Sequence, residues 1–133
     1  MKILKKIITV LVCLILFTSC TKSIDSRIEK EYIEERKEIT YYKGEPFTGE
    51  IFRNYRNGQL EKKENYKDGK RYGLYETYYK NGQLKTKMKL KNEYLFFSED
   101  YYENGQLKEK INFNKEGNPL STEYYYEDGS ERK

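Results

Sequence analysis

The side chains that most often carry catalysis are scarce in this sequence. It contains no histidine, which removes the commonest general base, the commonest metal ligand and every Ser-His or Cys-His nucleophile pair. The carboxylate pairs Glu34-Glu35 and Glu99-Asp100 remain, but neighbours in a strand point to opposite faces and cannot converge on one bond. Each glycine stands alone, so there is no phosphate-binding loop. We expect no enzymatic activity, no metal site and no cofactor.

Tyrosine is the abundant residue type that could instead bind a ligand, with 15 Tyr beside 6 Phe and no Trp. Two interpretations of its spacing stay open. The tyrosines are cross-strand pairs that hold a thin sheet together, or they form a partly exposed binding face that stacks on glycan rings or on a partner's apolar patch. The first set recurs at a fixed spacing and consists of Tyr55, Tyr79, Tyr102 and Tyr126. The second set directly precedes three of these residues, and we expect it on the opposite face of the sheet: Tyr78, Tyr101 and Tyr125.

Repeated turns must position these tyrosines. The tetrapeptide Asn-Gly-Gln-Leu occurs three times and a decayed copy follows, with glycines 24, 23 and 24 residues apart. A fixed period of this length indicates stacked supersecondary units. Asn-Gly between two strands is the strongest short hairpin signal and predicts a type I′ turn. The predicted turn residues are Asn57, Gly58, Gly69, Asn81, Gly82, Asn104, Gly105, Gly117, Asp128 and Gly129.

The segments between the turns alternate strictly between apolar and polar residues. Leu84, Thr86, Met88 and Leu90 alternate with lysines, and the segment after Leu107 does the same. A period of two predicts strands with one drier face. We therefore predict an all-β fold, an antiparallel meander of repeated β-hairpins that forms an elongated sheet over residues 41–133.

This pattern resembles a known repeat family. Tyrosine-tyrosine-x-Asn-Gly-x-Leu, an Asp-Gly-Lys turn at residues 68–70 and Gly-Leu-Tyr-Glu-Thr-Tyr-Tyr at residues 73–79 are similar to the variant MORN repeat of bacteria. Proteins of this kind are often labelled YwqK-family antitoxins. The resemblance covers residues 41–133 and implies a stack of hairpins. Phe96 and Leu120 stand where the family has glycine, and we expect these two residues to pack.

The N-terminus has the pattern of an export signal. Lysines precede an 11-residue apolar run from Ile7 to Phe17, which is too short to span a bilayer and is typical of a secretory signal. The ending Thr18-Ser19-Cys20 resembles the lipobox of bacterial lipoproteins, which implies a signal peptide at residues 1–19 and a lipid on Cys20. An uncleaved membrane anchor is the alternative. Thr21, rather than Asp, favours the outer membrane in a diderm envelope.

Residues 20–40 are predicted to form the lipidated cysteine and a charged tether. Ile24, Ile28 and Tyr32 have the spacing of one helical stripe, which leaves a partner-binding helix open, but a solvated stalk is the simpler interpretation. Without Lys2, Lys5 and Lys6, the chain has 23 basic and 22 acidic residues. Because nucleic-acid affinity rests on a surplus of positive charge, we expect no nucleic-acid partner.

These observations predict a lipoprotein of the cell envelope, attached to the membrane through Cys20, whose repeat sheet binds a protein or a surface polymer such as a glycan. An antitoxin or immunity lipoprotein that neutralises a toxin is the alternative, and the resemblance to the antitoxin-labelled family is its only support. A third hypothesis, which also rests on the resemblance, is that the repeats bind membrane lipid.

Overall fold

The computed structural model of the protein describes residues 21–91 and 94–133. The predicted signal peptide and the lipidated Cys20 lie outside the described residues. Within those ranges, no helix is both long enough and apolar enough to cross a membrane. Apart from one 3₁₀ turn at Lys30–Tyr32, the regular elements are strands: β1 (Ser23–Asp25), β2 (Ile33–Arg36), β3 (Ile39–Tyr42), β4 (Glu45–Pro46), β5 (Gly49–Asn54), β6 (Leu60–Lys67), β7 (Lys70–Tyr78), β8 (Leu84–Lys91), β9 (Tyr94–Tyr101), β10 (Leu107–Phe113) and β11 (Pro119–Tyr124).

The strands form one long sheet and one short sheet. The long sheet has the order β1-β5-β6-β7-β8-β9-β10-β11, and the short one has the order β2-β3-β4. From β5 to β11 every strand pairs antiparallel with its neighbour in sequence, so the predicted all-β meander is confirmed. We call the hairpins β5–β6, β7–β8 and β9–β10 the first, second and third repeats, and β11 begins the fourth.

The turns within the repeats differ from the predicted type. Gly58, Gly82 and Gly105 have φ between +85° and +87°, but the asparagines before them are not among the residues with positive φ. The Gly58 N–H donates to the carbonyl of Tyr55, and the Tyr55 N–H donates to that of Gln59. This is the pattern of a type I turn followed by a left-handed glycine, which is common in longer hairpin loops. The predicted type I′ turn at Asn-Gly is therefore wrong.

The type I′ geometry occurs instead in a two-residue loop. Asp68 and Gly69 both have positive φ, +51° and +79°, between the paired residues Lys67 and Lys70. The physical difference is loop length, because only a two-residue loop requires both central residues to be left-handed.

The apolar core lies at the N-terminal end of the long sheet. Its buried members are Ile24, Tyr42, Phe47, Ile51 and Tyr66. The rings of Tyr42 and Phe47 are 6.0 Å apart between centroids, and those of Phe47 and Tyr66 are 6.1 Å apart. Beyond Tyr66, no described apolar side chain belongs to this buried group. The sheet from β7 to β11 is therefore a single layer with half-exposed side chains on both faces.

The segment expected to be a tether is part of the fold. Ile24 is 0% exposed and pairs with Ile51, because β1 adds in parallel to the edge of β5. Ile28 is exposed, and the predicted helical stripe of Ile24, Ile28 and Tyr32 does not form. A short isolated helix is only marginally stable, whereas β1 gains sheet hydrogen bonds and buries an isoleucine. The boundary predicted after residue 40 falls inside β3.

Candidate binding surfaces of the repeat sheet

The first set of tyrosines connects each repeat to the next. Each hydroxyl donates a hydrogen bond to a backbone carbonyl oxygen one repeat further along. The three pairs are Tyr55 to Tyr78 at 2.7 Å, Tyr79 to Tyr101 at 2.8 Å and Tyr102 to Tyr125 at 3.0 Å. Because the rings are half-buried and their hydroxyls are used within the sheet, these tyrosines have a structural role. A binding role for them stays a prediction.

The turn asparagines make the same kind of connection. Each side-chain oxygen accepts a hydrogen bond from the N–H of the glutamine two residues later. Each side-chain nitrogen donates to a carbonyl in the next turn: Asn57 to Lys80 at 3.2 Å, Asn81 to Glu103 at 3.0 Å and Asn104 to Glu127 at 2.8 Å. One side chain thus closes its own turn and holds the following one.

The glutamines of the tetrapeptide lie over the next turn, a role that sequence reasoning missed. A Cβ atom built on Gly105 would lie 3.0 Å from Oε1 of Gln83, and one on Gly129 would lie 3.0 Å from Oε1 of Gln106. The signal in the sequence was the strict recurrence of glutamine beside each glycine. The asparagine, glycine and glutamine of the tetrapeptide therefore take part in contacts between neighbouring repeats.

Among the described residues, the fourth turn makes none of these outward contacts. Asp128 replaces asparagine, and its Oδ1 accepts hydrogen bonds from the N–H and the hydroxyl of Ser130 at 2.8 and 2.6 Å. These two bonds lower the pKa of Asp128, and the bond from the Ser130 side chain has the larger effect. A carboxylate has no N–H to donate onward. Tyr126 is 53% exposed, and its hydroxyl has no hydrogen-bond partner among the described residues. Among the described residues, the side chains of the fourth turn thus make no contact with a further repeat.

The second set of tyrosines hydrogen-bonds to glutamates. Tyr78, Tyr101 and Tyr125 donate to Glu76, Glu99 and Glu123, each two residues earlier, at 3.2, 2.8 and 2.8 Å. Burial, and then the hydrogen bond to Glu99, raises the pKa of Tyr101 to about 12. These hydroxyls therefore stay protonated at neutral pH and anchor the acids.

The same glutamates belong to a row of alternating charge that crosses the sheet. The strand register places one charged residue per strand directly beside the next: Lys63, Glu76, Lys87, Glu99, Lys110 and Glu123, from β6 to β11. The Lys63 ammonium lies 2.9 Å from the Glu76 carboxylate, and that contact raises the pKa of Lys63. Opposite charges at such positions stabilise a sheet. We call this set the charge row.

Several apolar side chains of the single-layer part are exposed. Phe96 is 49% and Leu120 is 70% exposed. Each lies at a β-bulge: Leu90 pairs with Leu95 and Lys89 with Phe97, which leaves Phe96 unpaired. Leu120 is unpaired in the same way in β11. The expectation that these two residues pack is wrong, because a bulge leaves its extra residue without a cross-strand neighbour. The other exposed large side chains here are Tyr72, Tyr94, Tyr124 and Tyr126.

A cavity of about 640 Å³ separates the short sheet from β5 and β6. Glu64 lines it and is 4% exposed, with Lys62 at 2.8 Å and Arg71 at 3.5 Å. Its Oε1 accepts no hydrogen bond from the residues that the structure describes. Two cations beside one buried carboxylate form a structural ion cluster. The described residues contain no group of three potential metal ligands.

The hairpins coincide with a known repeat. Residues 47–68, 71–92 and 98–115 match the MORN repeat variant family, and each stretch contains one Asn-Gly turn. The chain is a MORN-repeat protein. MORN repeats commonly serve as binding modules and are in general non-catalytic. No curated protein and no solved structure matches the chain.

Proposed function

We propose that this protein is a lipoprotein of the cell envelope whose MORN-repeat sheet is a non-catalytic module that binds a protein or a surface polymer. The observation that carries this proposal is the exposed apolar surface of a single-layer sheet. Phe96 and Leu120 extend from bulges, and four exposed tyrosines accompany them. Exposed apolar side chains on such a sheet are surface that a partner could bury.

The attachment to the membrane is supported by the sequence of the N-terminal segment. Only Thr21 and Lys22 separate Cys20 from β1. The carbonyl of Lys22 accepts a hydrogen bond from the Glu50 N–H at 2.7 Å, so the fold begins directly after the cysteine. A lipid on Cys20 therefore holds the sheet close to the bilayer rather than on a long stalk.

The experiment is a pull-down from envelope extracts with the tagged chain from residue 20 onward, in which Cys20→Ala prevents lipidation. A triple variant, Tyr94→Ser, Phe96→Ser and Leu120→Ser, removes exposed apolar surface without touching the core. The proposal expects a specific protein or glycan to bind the parent chain and to be lost with the triple variant. Failure of any specific molecule to bind the parent chain would overturn it.

The attachment has its own test, in which the unmodified gene is expressed with a radiolabelled fatty acid. Incorporation of label that Cys20→Ala abolishes is the expected result, and an unlabelled protein would contradict the lipoprotein proposal. The antitoxin alternative is the same binding activity with a toxin as the partner. The geometry of the described sheet does not favour a toxin over another partner.

A further inference from the structure

The outer edge of β11 lacks a partner strand over residues 119–123 within the described part of the chain. The segment after the fourth turn covers only the other end of the strand. There the Arg132 N–H donates to the carbonyl of Tyr124 at 2.7 Å, and Tyr125 pairs with Glu131. The unpaired N–H and C=O groups of an edge strand are a template for another strand.

The two ends of the charge row differ. At the β5 end it meets Phe52, which is uncharged and paired with Asp25 of β1. At the β11 end it stops at a charge, Glu123. Glu76 and Glu99 each have a lysine on both sides in the register, whereas Glu123 has only Lys110. Among the described residues, Glu123 is therefore the acid of the row that lacks a second lysine neighbour, and a cation would complete the alternation at the position beyond it.

We propose that a partner protein adds an extended segment to this edge as an antiparallel strand and places a lysine or arginine opposite Glu123. This proposal rests on the proposed function and specifies the chemistry of the partner. The bound segment also places an apolar side chain beside Leu120, the most exposed apolar residue of the strand. Backbone hydrogen bonds supply the affinity and the cation supplies the selectivity, as in other cases of strand addition.

A second copy of the chain fits this edge poorly. Residues 119–126 read Pro-Leu-Ser-Thr-Glu-Tyr-Tyr-Tyr and contain no lysine or arginine. Two β11 strands that paired with each other would leave both Glu123 side chains without a new cation. Pro119 also has no N–H to contribute to such a ladder.

The sheet itself suggests a probe. The acetylated peptide of residues 107–113 contains Lys110, which the native register places opposite Glu123 from the other side of β11. A second peptide carries Lys110→Glu. Binding of each peptide to the chain from residue 20 onward, with Cys20→Ala, is measured by fluorescence anisotropy at low salt. We expect the lysine peptide to bind about tenfold more tightly than the glutamate peptide, since the opposite pair is attractive and the like pair is repulsive.

Charge exchange tests the position. With Glu123→Lys the preference between the two peptides reverses, and with Glu123→Gln it disappears. Glu127→Lys is the matched control, because Glu127 is an exposed acid of the fourth turn, and it keeps the parent preference. Equal thermal midpoints of the three variants exclude a folding defect as the cause.

Three results would overturn the proposal: no saturable binding of the lysine peptide, a preference that ignores Glu123, or concentration-dependent dimers that Glu123→Lys disrupts. The last would identify a second copy as the occupant. Failure here is distinct from failure of the proposed function. A partner captured from extracts that Glu123→Lys still binds refutes the edge and leaves the binding module intact.

Discussion

The hydroxyl of Tyr79 donates a hydrogen bond to the backbone carbonyl oxygen of Tyr101, 2.8 Å away in the next repeat. The two residues are 22 positions apart, close to the period of the sequence. The bond therefore recurs wherever a repeat has a successor. Equivalent bonds from Tyr55 and Tyr102 show that the tyrosine is a connector between units.

Tyr79→Phe removes this connector and keeps the ring. We expect the free energy of unfolding to fall by about 1 kcal/mol, the usual net worth of one hydrogen bond. Tyr126→Phe is the control, because that hydroxyl has no hydrogen-bond partner among the described residues, and its effect is within about 0.5 kcal/mol. Urea denaturation measures both. Equal losses from the two variants would contradict the connector role.

Gly69→Ala and Gly117→Ala separate crowding from backbone strain. The two glycines have similar φ, +79° and +82°. A Cβ on Gly69 would lie 2.4 Å from Cγ2 of Ile39 and 2.9 Å from the carbonyl oxygen of Thr40, whereas one on Gly117 would meet nothing within 4 Å. We expect Gly117→Ala to cost about 1–2 kcal/mol from strain alone.

For Gly69→Ala, overpacking adds about 1–3 kcal/mol to the same strain. The difference between the two midpoints of urea denaturation measures that addition. If both variants lose the same stability, then the contact between the β6–β7 turn and β3 does not constrain the fold.

Lys87→Glu reverses the centre of the charge row. Lys87 lies between Glu76 and Glu99 in the register, and two attractive pairs become two repulsive ones. We expect a loss of about 1–3 kcal/mol at low salt, smaller at high salt because of screening. Lys89→Glu is the control, since its cross-strand neighbours are Leu74 and Phe97. Chemical denaturation at two salt concentrations reports the difference, and a salt-independent loss would argue against electrostatics.

We also expect the sheet to lose stability at alkaline pH. Burial raises the pKa of Tyr101 from its ordinary value of 10.0 to about 12 in the folded state. A group whose pKa is raised on folding contributes fully below its unfolded pKa and loses that contribution as the pH rises through the folded value. We therefore expect stability to decline between about pH 10 and pH 12, the range that the two pKa values bound.

Tyr101→Phe tests this dependence. The variant loses the bond to Glu99 at all pH values but has no phenol to ionise there, so the decline above pH 10 is shallower than in the parent. Thermal midpoints across the pH range, together with tyrosinate absorbance, measure it. Parallel declines in parent and variant would assign the alkaline sensitivity to other tyrosines.

The meander could be predicted from the sequence because the alternation and the repeated glycines are local signals. The type of the Asn-Gly turn could not, because Asn-Gly is compatible with more than one loop length and the register decides between them. The burial of Ile24 was missed for a different reason. It depends on an edge of β5 that lies 27 positions away in the register, and a three-residue strand leaves no periodicity to detect.

The binding surfaces were only partly predictable. The spacing in the sequence identified both sets of tyrosines. It could not show that the hydroxyls of the first set donate to backbone carbonyls and that those of the second set donate to glutamates. The charge row was not predicted at all. Its members lie on six strands, and they align only when the bulges set the register of each pair.

The tetrapeptide contacts connect each repeat only to its immediate neighbours, and this determines the order in which the strands unfold. An array with nearest-neighbour coupling has a stability that is the sum of unit and interface terms. The buried core anchors the array at the β1–β5 end, whereas the fourth repeat contacts only the third among the residues that the structure describes. We therefore expect unfolding to begin as fraying at β11 and to proceed towards β6, with amide hydrogens that exchange progressively more slowly in that direction.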